Sequence, residues 1–248
     1  MADVALITGG AVRIGRAIAL HLASRGFCVA IQYHKSKLDA DDTLSAITAA
    51  GGKAAAFQAE LESPADVAQL IHRSAALGPV TCLVNNASAF ADDSLTALTL
   101  ESWRRHMAVN LEAPIFLAQA FAAQLPAGMA GAIINILDQR VLRPNPQFFS
   151  YTVSKAALHA ATKTMAQALA PRIRVNAVAP GPTLKSIHQS EDEFAREEAA
   201  MPLGRGARPD EIARAVGFIL DQPSITGQTI AVDGGQHLMW QTPDIRAT

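Results

Sequence analysis

Short apolar runs alternate along this chain with longer stretches in which apolar residues return every three to four positions. The runs at 4–8, 27–33, 54–58, 82–85, 132–137, 174–179 and 229–232 are rich in Val, Ile, Leu and Ala, and predict strands. The stretches at 13–25, 39–50, 64–77, 101–125, 151–169 and 209–220 carry the helical period. Strands that are apolar throughout are those buried on both faces, and helices placed between them imply right-handed crossovers. The expected architecture is α/β, a doubly wound parallel sheet of about seven strands with helices on both faces. The least regular region is 180–206. It opens with Pro180-Gly181-Pro182 and turns acidic through Ser190, Glu191, Asp192 and Glu193. An irregular segment that follows the carboxyl end of a strand reads as a substrate lid, placed at 182–206.

Length and composition narrow the possibilities. A chain of 248 residues, 50% of them hydrophobic, fits one sizeable core, so 1–248 is read as a single domain. A net charge of -1 offers no general attraction to nucleic acid or an anionic membrane, which leaves a small molecule as the expected partner. Cys28 and Cys82 both lie in apolar runs. They are expected as buried free thiols in a reducing compartment. The chain enters its first strand without a charged region followed by a long apolar one, and no apolar run approaches the ~20 residues of a membrane span. The expected location is the cytoplasm.

The first turn, Thr8-Gly9-Gly10-Ala11-Val12-Arg13-Ile14-Gly15, follows a strand and opens a helix. Backbone N–H groups and the helix dipole favour a pyrophosphate at such a turn. Gly9 allows the tight turn, and Gly15 allows helix and strand to pack closely. The spacing differs from G-x-G-x-x-G, so the loop alone is a moderate signal. Together with Asn85-Asn86-Ala87, Asn110, Tyr151-Thr152-Val153-Ser154-Lys155 and Pro180-Gly181, however, it resembles the short-chain dehydrogenase/reductase family over residues 6 to about 235. The resemblance implies a Rossmann-type sheet, a nicotinamide cofactor and a homotetramer paired through the helices at 101–125 and 151–169. It makes Tyr151 the proton donor, with Lys155 lowering its pKa and bonding the nicotinamide ribose, and Asn110 holding a water that links the lysine to solvent. Ile14, Asn86, Ala87, Ser88, Pro180, Gly181, Thr183 and Leu184 would lie against the cofactor. Glu60-Leu61 would lie beside the adenine, where the family usually has Asp-Leu.

Cofactor choice is read at the end of the second strand. NAD users place an acid there to take the ribose hydroxyls. This chain has Gln32-Tyr33-His34-Lys35-Ser36 and no acid until Asp39. His34, Lys35 and Ser36 supply charge and hydrogen bonds for a 2′-phosphate, so NADPH is expected.

Asp138, thirteen residues ahead of Tyr151, stands where this family usually carries a carbonyl-polarising serine. An ionised carboxylate only accepts hydrogen bonds and repels a forming oxyanion, so it suits a substrate with N–H groups or ring nitrogens. Arg13 in place of a loop glycine, Phe90 just after Asn86-Ala87-Ser88, and Asp138 resemble the pteridine reductase and dihydromonapterin reductase subgroup. There a pterin lies between a phenylalanine and the nicotinamide, which would make Arg13, Ser88, Phe90, Asp138 and Tyr151 the substrate residues. The expected function is NADPH-dependent reduction of a dihydropterin. A carbonyl reductase, for example of 3-oxoacyl thioesters, and a non-catalytic NADPH-binding sensor are the alternatives. His21, His72, His106, His159, His188 and His237 show no metal-ligand spacing, and no catalytic metal is expected.

Overall fold

The computed structural model describes residues 3–185 and 189–240. Seven strands form one sheet: β1 (Val4–Ile7), β2 (Cys28–Tyr33), β3 (Lys53–Gln58), β4 (Val80–Asn85), β5 (Gly131–Ile136), β6 (Ile173–Pro180) and β7 (Thr229–Val232). Their order is β3-β2-β1-β4-β5-β6-β7, and every pairing is parallel. All seven expected strands are present. The helices are α1 (Arg13–Ser24), α2 (Lys37–Ala49), α3 (Pro64–Ser74), α4 (Leu100–Met107), α5 (Ala113–Gln124), α6 (Phe149–Leu169), α7 (Glu191–Ala199) and α8 (Pro209–Asp221).

Alternation of side chains along each strand builds two cores. Ile7, Val29, Ile31 and Val84 pack under Ile18 and Leu22 of α1, Ile47 of α2 and Val216 of α8. Leu6, Ala30, Leu83 and Ile133 face the other way, against Leu70 of α3, and Leu117 and Phe121 of α5. Cys82 belongs to the first core and Cys28 to the second, so the two free thiols lie on opposite faces of the sheet. Burial pushes the Cys82 thiol up to about 12, which keeps it inert. None of the described helices is long and apolar enough to cross a membrane.

Two elements differ from the sequence reading. The helix expected over 101–125 is α4 and α5 joined by a π-helical turn at Ala108–Glu112, which turns the Asn110 side chain into the protein. The region expected to be irregular, 180–206, contains α7. Its acidic residues form a helix's first turn rather than a loop. Ser190 Oγ accepts from Glu193 N at 3.2 Å, and Ser190 N donates to Glu193 Oε2 at 2.8 Å, closing a capping box. His188 and part of the expected lid lie outside the described residues.

The strand order reverses between β1 and β4, since β2 lies to one side of β1 and β5 lies beyond β4 on the other. The crossovers on either side of that point diverge, opening a crevice at the carboxyl ends of the strands. The loops after β1, β4, β5 and β6 all end there.

Candidate active site

The loops after β1 and β4 are locked into one unit. Thr8 Oγ1 accepts from Asn86 N and Ala87 N, both at 3.0 Å, while Asn86 Nδ2 donates to Thr8 O at 2.9 Å and Gly9 O at 3.1 Å. Both N–H groups of the Asn86 amide are thus spent inside the protein. Gly9 N donates to Gln32 Oε1 at 2.8 Å, and Gln32 Nε2 donates to Ala59 O at 2.7 Å. Gly9 has φ +61°, and a Cβ on Gly15 would stand 2.1 Å from Gly9 O and 2.6 Å from Asn86 Nδ2. Only glycine fits at Gly15. No side chain caps the start of α1 at Val12, so the first-turn N–H groups remain for a ligand, with Ile14 half-buried beside them. This cradle fits a pyrophosphate.

At the end of β2, His34 Nε2 forms an ion pair with Glu60 Oε2. Glu60 N donates to Asp66 Oδ2 at 2.7 Å, and Leu61 is buried. Lys35 is exposed and Ser36 stands at the N-cap of α2 with no side-chain cap bond. His34 and Lys35 are exposed and Ser36 is half-buried, and the Lys35 ammonium with the Ser36 hydroxyl, beside His34 on Glu60, fits a phosphate monoester.

Helix α6 carries Tyr151 and Lys155 to the crevice. Tyr151 Oη donates to Asp138 Oδ2 at 2.8 Å, and Asp138 Oδ1 accepts from Arg140 N at 2.8 Å. Asp138 also caps the short 3₁₀ turn Gln139–Val141. It therefore does the local work of a turn-capping aspartate while facing the tyrosine. Burial drives the Asp138 carboxyl up, against hydrogen bonds from Arg140 and Tyr151 and the charges of Arg140 and Lys155. Burial, then the charge and hydrogen bond of Asp138, push the Tyr151 phenol well above its ordinary value.

Lys155, expected to lower the pKa of Tyr151, lies beside its ring. Lys155 Nζ donates to Ile136 O at 2.8 Å and stands 5.8 Å from the Tyr151 ring centroid. The cation acting to lower the phenol is Arg140. Lys155 itself is lowered to about 8 by burial, with Asp138 opposing. Asn110, expected to hold a water, uses its side chain within the protein. Its Oδ1 accepts from Ala89 N at 2.8 Å and Ser88 Oγ at 3.2 Å, and its Nδ2 donates to Ala89 O and Ser154 Oγ, both at 3.0 Å. It fastens the loop after β4 to α6.

Phe90 meets Tyr151 edge-on, with centroids 4.8 Å apart and planes at 81°, and stacks on Phe148 at 4.4 Å and 17°. The Arg140 guanidinium lies 5.1 Å from the Phe148 ring centroid. Arg13, a non-glycine residue at φ +52°, sends its guanidinium to the segment after β6, donating to Leu184 O at 2.9 Å and Lys185 O at 3.1 Å. Pro180 ends β6. Gly181 packs so closely on β7 that a Cβ would lie 2.7 Å from that of Asp233, and Thr183 Oγ1 donates to Gly181 O at 2.9 Å.

A family profile described as enoyl-(acyl carrier protein) reductase matches residues 10–237. The chain belongs to the short-chain dehydrogenase/reductase family. Among its relatives, a 3-oxoacyl-[acyl-carrier-protein] reductase of Synechocystis sp. is 36% identical, over 94% of this chain and 96% of the relative. Among solved structures, FolM alternative dihydrofolate reductase 1 from Brucella suis in complex with NADP is 50% identical with a TM-score of 0.95, covering 99% of this chain and 98% of the other. A short chain dehydrogenase from Burkholderia cenocepacia in complex with NADP is 36% identical with a TM-score of 0.88, covering 94% and 97%.

Among the residues that shape the crevice, Gln32, Arg140 and Phe148 were not singled out from the sequence. Gln32 had a usable signal, a polar residue inside an apolar strand, because a buried amide must bond something. Arg140 and Phe148 lie in a loop whose path no local pattern fixes. Among the described residues, no group of three or more His, Cys, Asp or Glu side chains could hold a metal ion.

Proposed function

We propose that the protein is an NADPH-dependent reductase of a dihydropterin. The observation that carries this reading is the partly buried hydrogen bond from Tyr151 to Asp138, beside the ring of Phe90. The 50% identity to a FolM alternative dihydrofolate reductase supports it, since a dihydrofolate is a pterin with a longer substituent. NADP in the Brucella and Burkholderia structures, and the His34-Lys35-Ser36 set, support the choice of cofactor.

Gly9, Arg13, Ile14 and Gly15 would hold the pyrophosphate; His34, Lys35 and Ser36 the 2′-phosphate; Glu60 and Leu61 the adenine end. Ala87, Ser88, Tyr151, Lys155, Pro180, Gly181, Thr183 and Leu184 would surround the nicotinamide, with Asn86 shaping the wall behind it. When bound, NADPH supplies the hydride. The chain's own residues bind the heteroaromatic ring and protonate it. Phe90 would stack on the heteroaromatic ring, the Arg13 guanidinium would turn from Leu184 O and Lys185 O to the polar rim, and Ser88 Oγ, whose own proton goes to Asn110 Oδ1, would accept from a ring N–H. Tyr151 Oη carries the proton that goes to the ring nitrogen of the reduced C=N bond, and Asp138 holds that hydroxyl in line. Reprotonation of the phenol follows through Asp138 or solvent. The family resemblance supports a homotetramer.

Reduction of a 3-oxoacyl thioester is the second reading, favoured by the 36% identical Synechocystis relative. Asp138 argues against it, because the group beside the tyrosine would repel a forming oxyanion. Asp138→Ser separates the two. Under the pterin reading, this variant loses ~10²-fold or more in dihydropterin kcat/KM, the scale of general acid–base catalysis, and gains ketone turnover. Unchanged dihydropterin kinetics would remove Asp138 from the mechanism.

A further inference from the structure

We propose that Asp93 is a positioning residue that fastens the loop bearing Ser88 and Phe90 to the first turn of α6, holding Phe90 and Tyr151 at one spacing; this rests on reading those residues as the substrate site.

Helix α6 begins without a cap of its own. Phe148 at its N-cap is in the left-handed region, at φ 51°, and makes no side-chain cap bond. The cap comes from a distant loop. Asp93 O accepts from Phe149 N at 3.2 Å, Asp93 Oδ1 from Ser150 N at 2.9 Å, and Asp93 Oδ2 from Ser150 Oγ at 2.6 Å. A carboxylate on the first N–H groups of a helix also meets the positive end of its dipole. The same Oδ2 accepts from Ser102 Oγ of α4 at 2.7 Å, so one side chain joins three segments. It is only 4% exposed. Burial alone would raise this carboxyl, yet the bonds from Ser150 and Ser102 leave it below its ordinary value, as an accepting carboxylate should be.

His106 completes the fastening. The ring is fully buried; Nδ1 donates to Ser102 O at 2.8 Å, and Nε2 accepts from Ala91 N at 3.2 Å. The loop is therefore held at Ala89 by Asn110, at Ala91 by His106 and at Asp93 by α6, with Phe90 between these anchors. Tyr151 follows Ser150 directly. Any shift of Asp93 is passed to both walls of the site.

The test uses Asp93→Asn, Ser150→Ala and a control, Asp210→Asn, which removes an exposed pair with Arg214 on α8. An amide has one acceptor where three donors converge, so its NH₂ must face a hydroxyl or N–H. Asp93→Asn is expected to lose about tenfold or more in kcat/KM, through both a higher KM and a lower kcat, because misplacement of this kind costs rate. NADPH affinity, read by cofactor fluorescence, should fall by much less than kcat/KM, because the pyrophosphate and 2′-phosphate ends of the cradle are built on β1, α1 and β2 and only the nicotinamide end meets the shifted elements. Ser150→Ala should lose several-fold, and Asp210→Asn nothing. Kinetic constants unchanged in Asp93→Asn, whatever the Tm, overturn the proposal, as does NADPH affinity falling in step with kcat/KM. If Asp93→Asn does not fold, Ser150→Ala decides on the same criteria. The acceptor used is whichever of a dihydropterin or a 3-oxoacyl thioester the unaltered enzyme turns over. Its identity tests the pterin reading, while the variant ratios test Asp93.

Discussion

Replacing Asp138 by Asn should make this protein slower and, near neutral pH, no less stable. The amide can keep both contacts of the carboxylate: Oδ1 still accepts from Arg140 N, and Nδ2 takes the place of Oδ2 opposite Tyr151 Oη. Only the second bond reverses, so that the tyrosine oxygen accepts instead of its hydroxyl donating. Exchanging two hydrogen bonds to a charged group for two neutral ones gives up about 1–1.5 kcal/mol each. Against this stands release from holding a partly buried charge, a penalty of up to several kcal/mol before compensation. The opposing terms are of similar size, and the upward shift of the Asp138 carboxyl says which is larger. A carboxyl raised in the folded state contributes stability below its unfolded value of about 3.9, and that contribution is lost as pH rises through the folded value. The variant has no such loss. The difference in Tm, variant minus parent, should therefore be larger at about pH 7 than at about pH 4.5. Thermal unfolding at both values reads this directly, with dihydropterin turnover measured on the same samples and expected to fall ~10²-fold or more. A variant that loses relative stability between acid and neutral pH would refute the reasoning, since the carboxylate would then be a net stabiliser.

Other consequences can be measured as simply. Gly15→Ala places a methyl 2.1 Å from Gly9 O, and should weaken NADPH binding at least tenfold and cost about 1–3 kcal/mol in denaturant unfolding. Lys155, lowered to about 8, is protonated below that pH, so NADPH affinity should be highest there and decline as pH rises through about 8. Lys155→Met should flatten that profile. Lys35→Ala should reduce the preference for NADPH over NADH, seen as a smaller ratio of the two kcat/KM values with NADH kinetics little changed.

The parallel sheet was legible because both its faces are buried, which leaves runs such as Cys28–Tyr33 apolar except for Gln32. The helix α7 was not. Its acidic first turn reads as loop until Ser190 and Glu193 are seen to cap each other. Tyr151, Lys155 and Asp138 could be singled out through the family resemblance, but their electrostatics could not. That Arg140 opposes the rise of the Tyr151 phenol depends on how the chain turns after β5. Arg13 shows the same limit. Its position in the glycine loop suggested contact with pyrophosphate and substrate, whereas its donors reach Leu184 O and Lys185 O, contacts that join residues 171 and 172 positions apart.

The most direct test of the account is NADPH oxidation by the purified enzyme with dihydrobiopterin, dihydromonapterin, dihydrofolate, simple ketones and 3-oxoacyl thioesters, each repeated with NADH. The account predicts that a dihydropterin with NADPH gives the highest kcat/KM, and that the preference shifts toward the ketones in Asp138→Ser. Turnover of ketones or thioesters alone would contradict it, leaving the family intact and the reading of Asp138 and Phe90 wrong.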